Sequence, residues 1–381
     1  MTGKLYFVAG EASGDVLGRD VVSALQHLDP FLEIRGTGVA LSGDHHSVSP
    51  IDVAPLSVVG LLEGARAYGA VKRIVRETVK DIQSFKPDVA ILIDSWGFTL
   101  RIAQALRKVE PGIKLVKLVG PQVWATRPGR AKTLAETIDH LLCIHAFEVP
   151  YYAPYKLKTK VIGHPALSRS TPGNAGAFRE KYALASDVRI ASIFPGSRPS
   201  EVTHMGRDVF ESAKLLRQQS PSLRIAFAPS DSIAEQFWSI GELPSSALKV
   251  AAEDRFDLMA ASDVALACSG TITTEIALQG TPVITGYKSG FFTWFVATKF
   301  LLKSKFITLI NVAADDEVIP EFLQHDFNAE TLVSKARMLL SNEAHRQSQI
   351  SAQHDALKKM GLGALPAAEI AAAEIIEVLS A

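Results

Sequence analysis

The chain has 381 residues, of which 47% are hydrophobic and 21% charged, and its 40 Lys plus Arg match 40 Asp plus Glu. These proportions exclude a disordered chain, and the lack of a basic surplus argues against nucleic acid as a partner, although a net charge of zero can hide local patches. The length exceeds one ordinary core and suits two domains of roughly 150–200 residues each.

In chain order, residues 5–9 read as a buried strand, and residues 15–28 as a helix with Val16, Leu17, Val21, Leu25 and Leu28 on its apolar face. A helical stretch at 71–85 ends at Lys86-Pro87-Asp88 and leads into a strand at 89–93. A helix at 99–109, a strand at 114–119, a helix at 128–137 and a strand at 140–144 follow. Strands alternating with helices predict right-handed crossovers and a parallel sheet covered on both faces.

After Gly163-His164-Pro165 the pattern relaxes into Ser-Arg-Ser-Thr-Pro-Gly-Asn-Ala-Gly, the best candidate linker. A second series has strands at 190–194, 224–228, 264–267 and 282–285, with helices from about Ser200, Ser232, Asp254 and Thr271. The Ala-rich stretch 365–379 is a strong helix former. The expected architecture is two Rossmann-like, doubly wound domains facing a central cleft, with ligands at the strand C-termini.

Cys143 and Cys268 lie in apolar runs without metal-ligand spacing, which makes a disulfide framework implausible. No histidine pairs at i,i+4 on a helix with a third ligand in view, so no metal site is expected. The start of the chain reads as a strand running into Gly10-Glu11, not as a basic-then-apolar leader, and a cytoplasmic protein is expected. No window reaches the ~18–20 apolar residues of a spanning helix. The nearest approach, residues 290–302, is broken by Lys299 and closed by Lys303 and Lys305; it suits lying on a membrane.

Four turns could carry chemistry. Phe194-Pro195-Gly196-Ser197-Arg198-Pro199-Ser200 ends a strand and opens a helix, so backbone N–H groups, a helix dipole and a guanidinium can meet an anion. An ordinary strand–helix turn with a surface arginine has the same sequence. Cys268-Ser269-Gly270-Thr271 is a second turn of this kind, with Glu275 one helical turn in, where a carboxylate can accept from two ribose hydroxyls. An acid that merely complements the helix dipole would also sit there.

Val8-Ala9-Gly10-Glu11-Ala12-Ser13-Gly14-Asp15 lacks the dinucleotide fingerprint, yet its glycines would let a ligand approach the backbone. A tight turn capped by Ser13 or Asp15 is the alternative. In Ile91-Leu92-Ile93-Asp94-Ser95-Trp96-Gly97-Phe98 an acid ends an apolar strand, where partial burial would raise the Asp94 pKa toward general-base values. An aspartate bonded to a neighbouring loop fits equally.

Together with Gly120-Pro121-Gln122-Val123-Trp124-Ala125, Ile162-Gly163-His164-Pro165, Glu201-Val202 and Gly286-Tyr287-Lys288, these segments resemble the lipid-A-disaccharide synthase family nearly end to end. The resemblance implies a GT-B fold, with the acceptor side in residues 1–165 and the UDP-sugar side in residues 166–362. The helix at about 363–381 is expected to pack back on the first domain.

It implies that UDP-2,3-diacylglucosamine donates its sugar to the 6-hydroxyl of 2,3-diacylglucosamine 1-phosphate (lipid X), giving a β-1,6 disaccharide phosphate and UDP. The implied reaction inverts the anomeric carbon and uses no metal or other cofactor. Asp94 would be the catalytic base. Gly10, Glu11, Ser13, Gly14, Asp15, Gln122, Trp124 and His164 would bind substrate, and Gly196, Ser197, Arg198, Glu201, Ser269, Gly270, Thr271 and Glu275 would bind UDP. The family commonly has a second acid where this chain has Gly97, so no role for that acid carries over.

Acylated substrates imply peripheral association with the cytoplasmic face of the inner membrane, and a homodimer is compatible with the sequence. Two segments combine apolar residues with cations: residues 58–62 beside Arg66, Lys72, Arg73 and Arg76, and residues 291–302 beside Lys288, Lys299, Lys303 and Lys305. Ordinary core-facing helices with basic edges would look the same. A UDP-N-acetylglucosamine epimerase, the transferase of peptidoglycan precursor synthesis and a non-catalytic nucleotide-binding module are the rival functions.

Overall fold

The computed structural model describes residues 3–41, 45–56, 64–169, 171–244, 246–290 and 304–381. They form two compact units, Met1–Ser168 with Gly363–Ala381, and Arg169–Leu362.

The first unit is built on a seven-stranded parallel sheet with strand order β3-β2-β1-β4-β5-β6-β7. Its strands are β1 (Lys4–Ala9), β2 (Glu33–Thr37), β3 (His46–Val48), β4 (Val89–Ile93), β5 (Lys114–Leu118), β6 (His140–Cys143) and β7 (Lys158–Val161). The period of two divides β1 between two cores. Leu5, Phe7 and Ala9 face the helices Ala12–Leu28 and Ala367–Ser380. Tyr6 and Val8 face the helices Gly64–Phe85, Trp96–Val109 and Arg130–Ala135. Because both faces are covered, all five residues of β4 are buried, which is why it reads as an unbroken apolar run. Each large side chain so buried contributes about 1.5–3 kcal/mol of transfer free energy.

A polar pin ties the helix Gly64–Phe85 to the sheet. Arg35 donates to both Asp81 oxygens at 2.9 and 2.8 Å, and the Tyr6 hydroxyl lies 2.7 Å from Thr37 Oγ1. Burial pushes the Tyr6 pKa upward, so the phenol stays protonated in this network.

The second unit has a six-stranded parallel sheet with order β10-β9-β8-β11-β12-β13. Its strands are β8 (Ile190–Phe194), β9 (Arg224–Phe227), β10 (Leu248–Lys249), β11 (Val264–Cys268), β12 (Val283–Tyr287) and β13 (Glu321–Leu323). Helices Pro199–Gln219 and Ala329–Ser341 close one face through Met205, Phe210, Leu332 and Ala336. On the helix Glu343–Lys359, Gln353 accepts from the Val283 N–H at 3.1 Å and donates to the Thr281 carbonyl at 2.9 Å. Gln349 donates to the Val283 carbonyl at 2.7 Å.

In each sheet the chain lays down its first strand centrally, winds outward on one side and then crosses to the other. The direction reverses beside β1/β4 and beside β8/β11, and these are the crevices where open parallel sheets take ligands. Among the described residues no helix is long and apolar enough to cross a membrane. The expected lipid-facing segments, residues 58–62 and 291–302, lie outside the described residues.

Candidate functional site

In the second unit, β8 ends at Phe194 and the chain turns through Gly196, whose φ of 110° is a left-handed value that favours glycine. A Cβ there would also run into the Glu201 carboxylate. Glu201 is only 3% exposed. Its Oε2 accepts from the N–H groups of Ser197 at 2.8 Å and Arg198 at 3.1 Å, and its Oε1 meets Arg198 Nη1 at 3.2 Å. Glu201 therefore acts on the loop and not outward, and it occupies the Ser197 N–H that the sequence offered to an anion. What the loop presents is the Arg198 side chain, 72% exposed.

The other side of the loop is held by two serines that sequence reasoning did not single out as site residues. Ser232 Oγ donates to the Ser197 carbonyl at 3.1 Å, and Ser230 Oγ reaches the Gly196 carbonyl at 3.5 Å. Both follow β9, where a helix start at Ser232 was the available signal.

Across the crevice, β11 leads into the helix Thr271–Leu278. The Thr273 N–H bonds to the Gly270 carbonyl at 3.2 Å, whereas the N–H groups of Thr271 and Ile272 ahead of it have no carbonyl partner within the helix. Thr273 Oγ1 holds the Gly270 carbonyl at 2.8 Å. Glu275 is partly buried, and desolvation raises its pKa while the cation of Arg255 opposes the rise. Arg255, a further residue absent from the expected set, opens the helix Arg255–Ala261. A cavity of about 290 Å³ brings these groups together, lined by Gly196, Arg198, Ser230, Arg255, Gly270 and Glu275 among others. One guanidinium from each side, unpaired helix N–H groups and a recessed carboxylate can receive a diphosphate and a pair of hydroxyls.

In the first unit the turns after β1 and β4 meet. Gly10 packs so closely on Ser95 that a Cβ would lie 2.8 Å from Ser95 Oγ. Gly14 sits over Ala9 and Ile93, with only 3.2 Å between its Cβ position and that of Ala9, which lets the helix Ala12–Leu28 approach the sheet. Asp15 accepts from the Ala40 N–H at 2.8 Å and pairs with Arg19 at 3.4 Å, while Glu11 and Ser13 are exposed.

Asp94 is exposed, contrary to the partial burial expected from its apolar strand. The cause is local: Asp94 and Ser95 adopt φ values of 40° and 41°, and this left-handed pair turns the chain out of the sheet immediately after Ile93. The Asp94 N–H donates to the Leu118 carbonyl at 2.9 Å, and Thr99 Oγ1 donates to the Asp94 carbonyl at 2.7 Å.

The remaining expected residues lie after β5 and β7, with residues that follow β6 packed against them. Gln122 is exposed and its carbonyl accepts from the Ala125 and Thr126 N–H groups. Trp124, 8% exposed, packs edge-on against Phe147 with centroids 5.4 Å apart. Phe147 stacks on His145, and His145 on His164, whose Nδ1 accepts from the Ala166 N–H at 3.2 Å. Burial and His164 push the His145 pKa down to about 3, so its imidazole is neutral. Burial pushes Glu148 up to about 7 although the His145 and Ile144 N–H groups donate to it at 2.9 and 3.1 Å. Neither His145 nor Glu148 was anticipated; their apolar neighbours gave no periodic signal. Among the described residues no group of three or more His, Cys, Asp or Glu is placed to hold a metal.

Residues 5–375 match the family model described as lipid-A-disaccharide synthetase. The chain is 34% identical to the lipid-A-disaccharide synthase of Paramagnetospirillum magneticum, over 98% of this chain and 97% of the relative. It is 33% identical to that of Rickettsia bellii, over 94% of each. Among solved structures it resembles the UDP-GlcNAc 2-epimerase of Neisseria meningitidis bound to UDP-GlcNAc, with a TM-score of 0.59, 11% identity, and coverage of 99% of this chain and 100% of that one. The Methanocaldococcus jannaschii UDP-GlcNAc 2-epimerase in complex with UDP-GlcNAc and UDP gives 0.57 at 12% identity, over 99% of each chain. These two likenesses establish the two-unit GT-B fold and nothing about substrate.

Proposed function

The chain belongs to the lipid-A-disaccharide synthase family of glycosyltransferases, and from that premise we propose that it moves 2,3-diacylglucosamine from UDP-2,3-diacylglucosamine to the 6-hydroxyl of lipid X. The products are the β-1,6 lipid A disaccharide 1-phosphate and UDP. The observation that carries the proposal is the β8/β11 crevice, where Arg198, Arg255 and the Thr271 helix start surround a cavity with Glu275 recessed in its wall. A nucleoside diphosphate has the charge and hydroxyls for such a lining.

In this scheme Asp94 accepts the proton of the 6-hydroxyl while that oxygen bonds to the anomeric carbon. The bond from that carbon to the β-phosphate oxygen breaks, and attack from the opposite side inverts the centre. Negative charge gathers on the departing UDP, and Arg198 with the N–H groups of Gly270 and Thr271 stabilises it. No step requires a metal. Exposure of Asp94 in the free protein leaves its carboxylate open to the acceptor. Both substrates carry acyl chains, so the enzyme works against a membrane surface; residues 58–62 and 291–302 are the proposed contacts.

UDP release measured in detergent micelles containing EDTA tests the scheme. Release should require lipid X, survive chelation and match the disaccharide phosphate formed. UDP binding without release would point instead to a binding module. Asp94→Asn should lower turnover by roughly 10²–10⁴-fold with UDP affinity intact; near-normal turnover would remove the base.

A further inference from the structure

Lys117 is out of place for a core residue. It lies in β5, paired with Leu92 of β4 and 2% exposed, on the sheet face covered by the helix Trp96–Val109. Burial pulls its pKa down to about 7. It also sits under the N-terminal turn of that helix, the end where aligned peptide dipoles disfavour a cation. An apolar side chain of similar length would serve stability better.

Its contacts show what the amine does. Nζ donates to the Asp94 carbonyl and, at 2.8 Å, to Thr99 Oγ1. Thr99 Oγ1 donates in turn to the Asp94 carbonyl at 2.7 Å. Since the Leu118 carbonyl takes the Asp94 N–H at 2.9 Å, β5 holds both main-chain polar groups of Asp94. Those groups belong to the left-handed pair Asp94–Ser95, a conformation that L-residues avoid unless neighbours enforce it.

We infer that Lys117 is the positioning residue of the Asp94 carboxylate. Gripping the Asp94 carbonyl from beneath, it fixes the left-handed turn and with it the direction in which the Asp94 side chain leaves the sheet. Lys117 touches no substrate and acts only through Asp94. The inference rests on Asp94 being the base of the proposed transfer.

The test is Lys117→Met in the full chain, assayed with UDP-2,3-diacylglucosamine and lipid X in micelles alongside a thermal melt. The melting temperature should be unchanged or higher and the donor KM within about twofold, with kcat at least about tenfold lower, as expected for a misaimed base. In an Asp94→Asn background the same substitution should cost nothing more, because its effect passes through the missing carboxylate. A merely structural role would lower activity in both backgrounds.

A Lys117→Met protein with kcat within about twofold of the parent overturns the inference, and so does a further loss of about tenfold in the double variant. If Lys117→Met does not fold, Thr99→Val removes the second grip on the Asp94 carbonyl; lowered kcat at unchanged donor KM supports the inference and unchanged kcat overturns it. Should Asp94→Asn itself keep full turnover, the base assignment has failed. An inert Asp94→Asn beside a fully active Lys117→Met removes the positioning role alone.

Discussion

The two crevices solve one problem with opposite charges. In the second unit a buried acid, Glu201, lies under the loop, takes its N–H groups and leaves a cation, Arg198, exposed. In the first, a buried base, Lys117, lies under the turn, takes a carbonyl and leaves an acid, Asp94, exposed. The sign of the buried group follows from which main-chain groups the turn strands. A turn at a helix start strands N–H groups and calls for a carboxylate, whereas a left-handed exit from a strand strands a carbonyl and calls for a donor. In each pair the exposed side chain is of the opposite chemical type to the buried one, an arginine above a glutamate and an aspartate above a lysine.

The largest effect that tests this symmetry is in stability against pH. The native Lys117 pKa, about 7, lies below that of a free lysine. Between pH about 7 and 10 the unfolded chain therefore holds a proton that the native state does not, and the stability of the parent rises with pH. The cost of the buried amine is absent above that window, grows as pH falls and is complete below about 7. Denaturant unfolding should show Lys117→Met gaining on the parent by about 1.4 kcal/mol for each pH unit lowered within the window. A difference independent of pH would mean that the amine keeps its charge in the fold. Comparison with the variant is needed because burial raises the pKa of the Cys143 and Cys268 thiols, which oppose this slope at high pH.

Next in size, Arg198→Ala should weaken UDP binding by roughly 10–100-fold, the loss expected for a charge-assisted contact of about 1.5–3 kcal/mol. Titration calorimetry would read it directly. Unchanged affinity would reduce Arg198 to a partner for Glu201 and break the comparison at its exposed half.

The smaller effects concern the two glycine turns. Gly196→Ala places a side chain at φ 110° and against the Glu201 carboxylate, and it should destabilise the second unit by roughly 1–3 kcal/mol. Gly10→Ala meets the Ser95 hydroxyl, which can rotate away, but also Phe98 Cδ1 at 3.0 Å and Ser95 Cβ at 3.2 Å, so its cost should fall at the low end of that range, about 1 kcal/mol. Equal costs in urea unfolding would show that the first-unit turn is as rigid as the second.

Much of the α/β pattern was legible because buried parallel strands are short apolar runs: β1, β4, β5, β6, β8, β9, β11 and β12 announce themselves in this way. The strands that escaped notice, β2, β3, β7, β10 and β13, lack that signal. β7, Lys-Thr-Lys-Val, is an edge strand with alternating exposure, β10 has two residues, and Glu33–Thr37 carries charges and a glycine. The helix Glu343–Lys359 was invisible to periodicity because Gln349 and Gln353 occupy positions where apolar residues would mark a face.

At the candidate site, the two strand-to-helix turns after β8 and β11 were readable from glycine and hydroxyl spacing. The roles of Glu201 and Lys117 were not, since nothing in a linear string says which way a buried charge points. The exposure of Asp94 was missed for a related reason: left-handed geometry at two successive non-glycine residues has no compositional mark.

The last helix, Ala367–Ser380, packs on the first, Ala12–Leu28, so the first unit is made of both ends of the chain and the second is inserted within it. On the ribosome the order of completion is therefore reversed. The inserted unit has all of its residues before the enclosing one does, and the core around Leu17, Val21 and Leu25 waits, partly bare, for Ala371 and Ile375. A stalled or shortened product would thus expose apolar surface in the unit that was begun first.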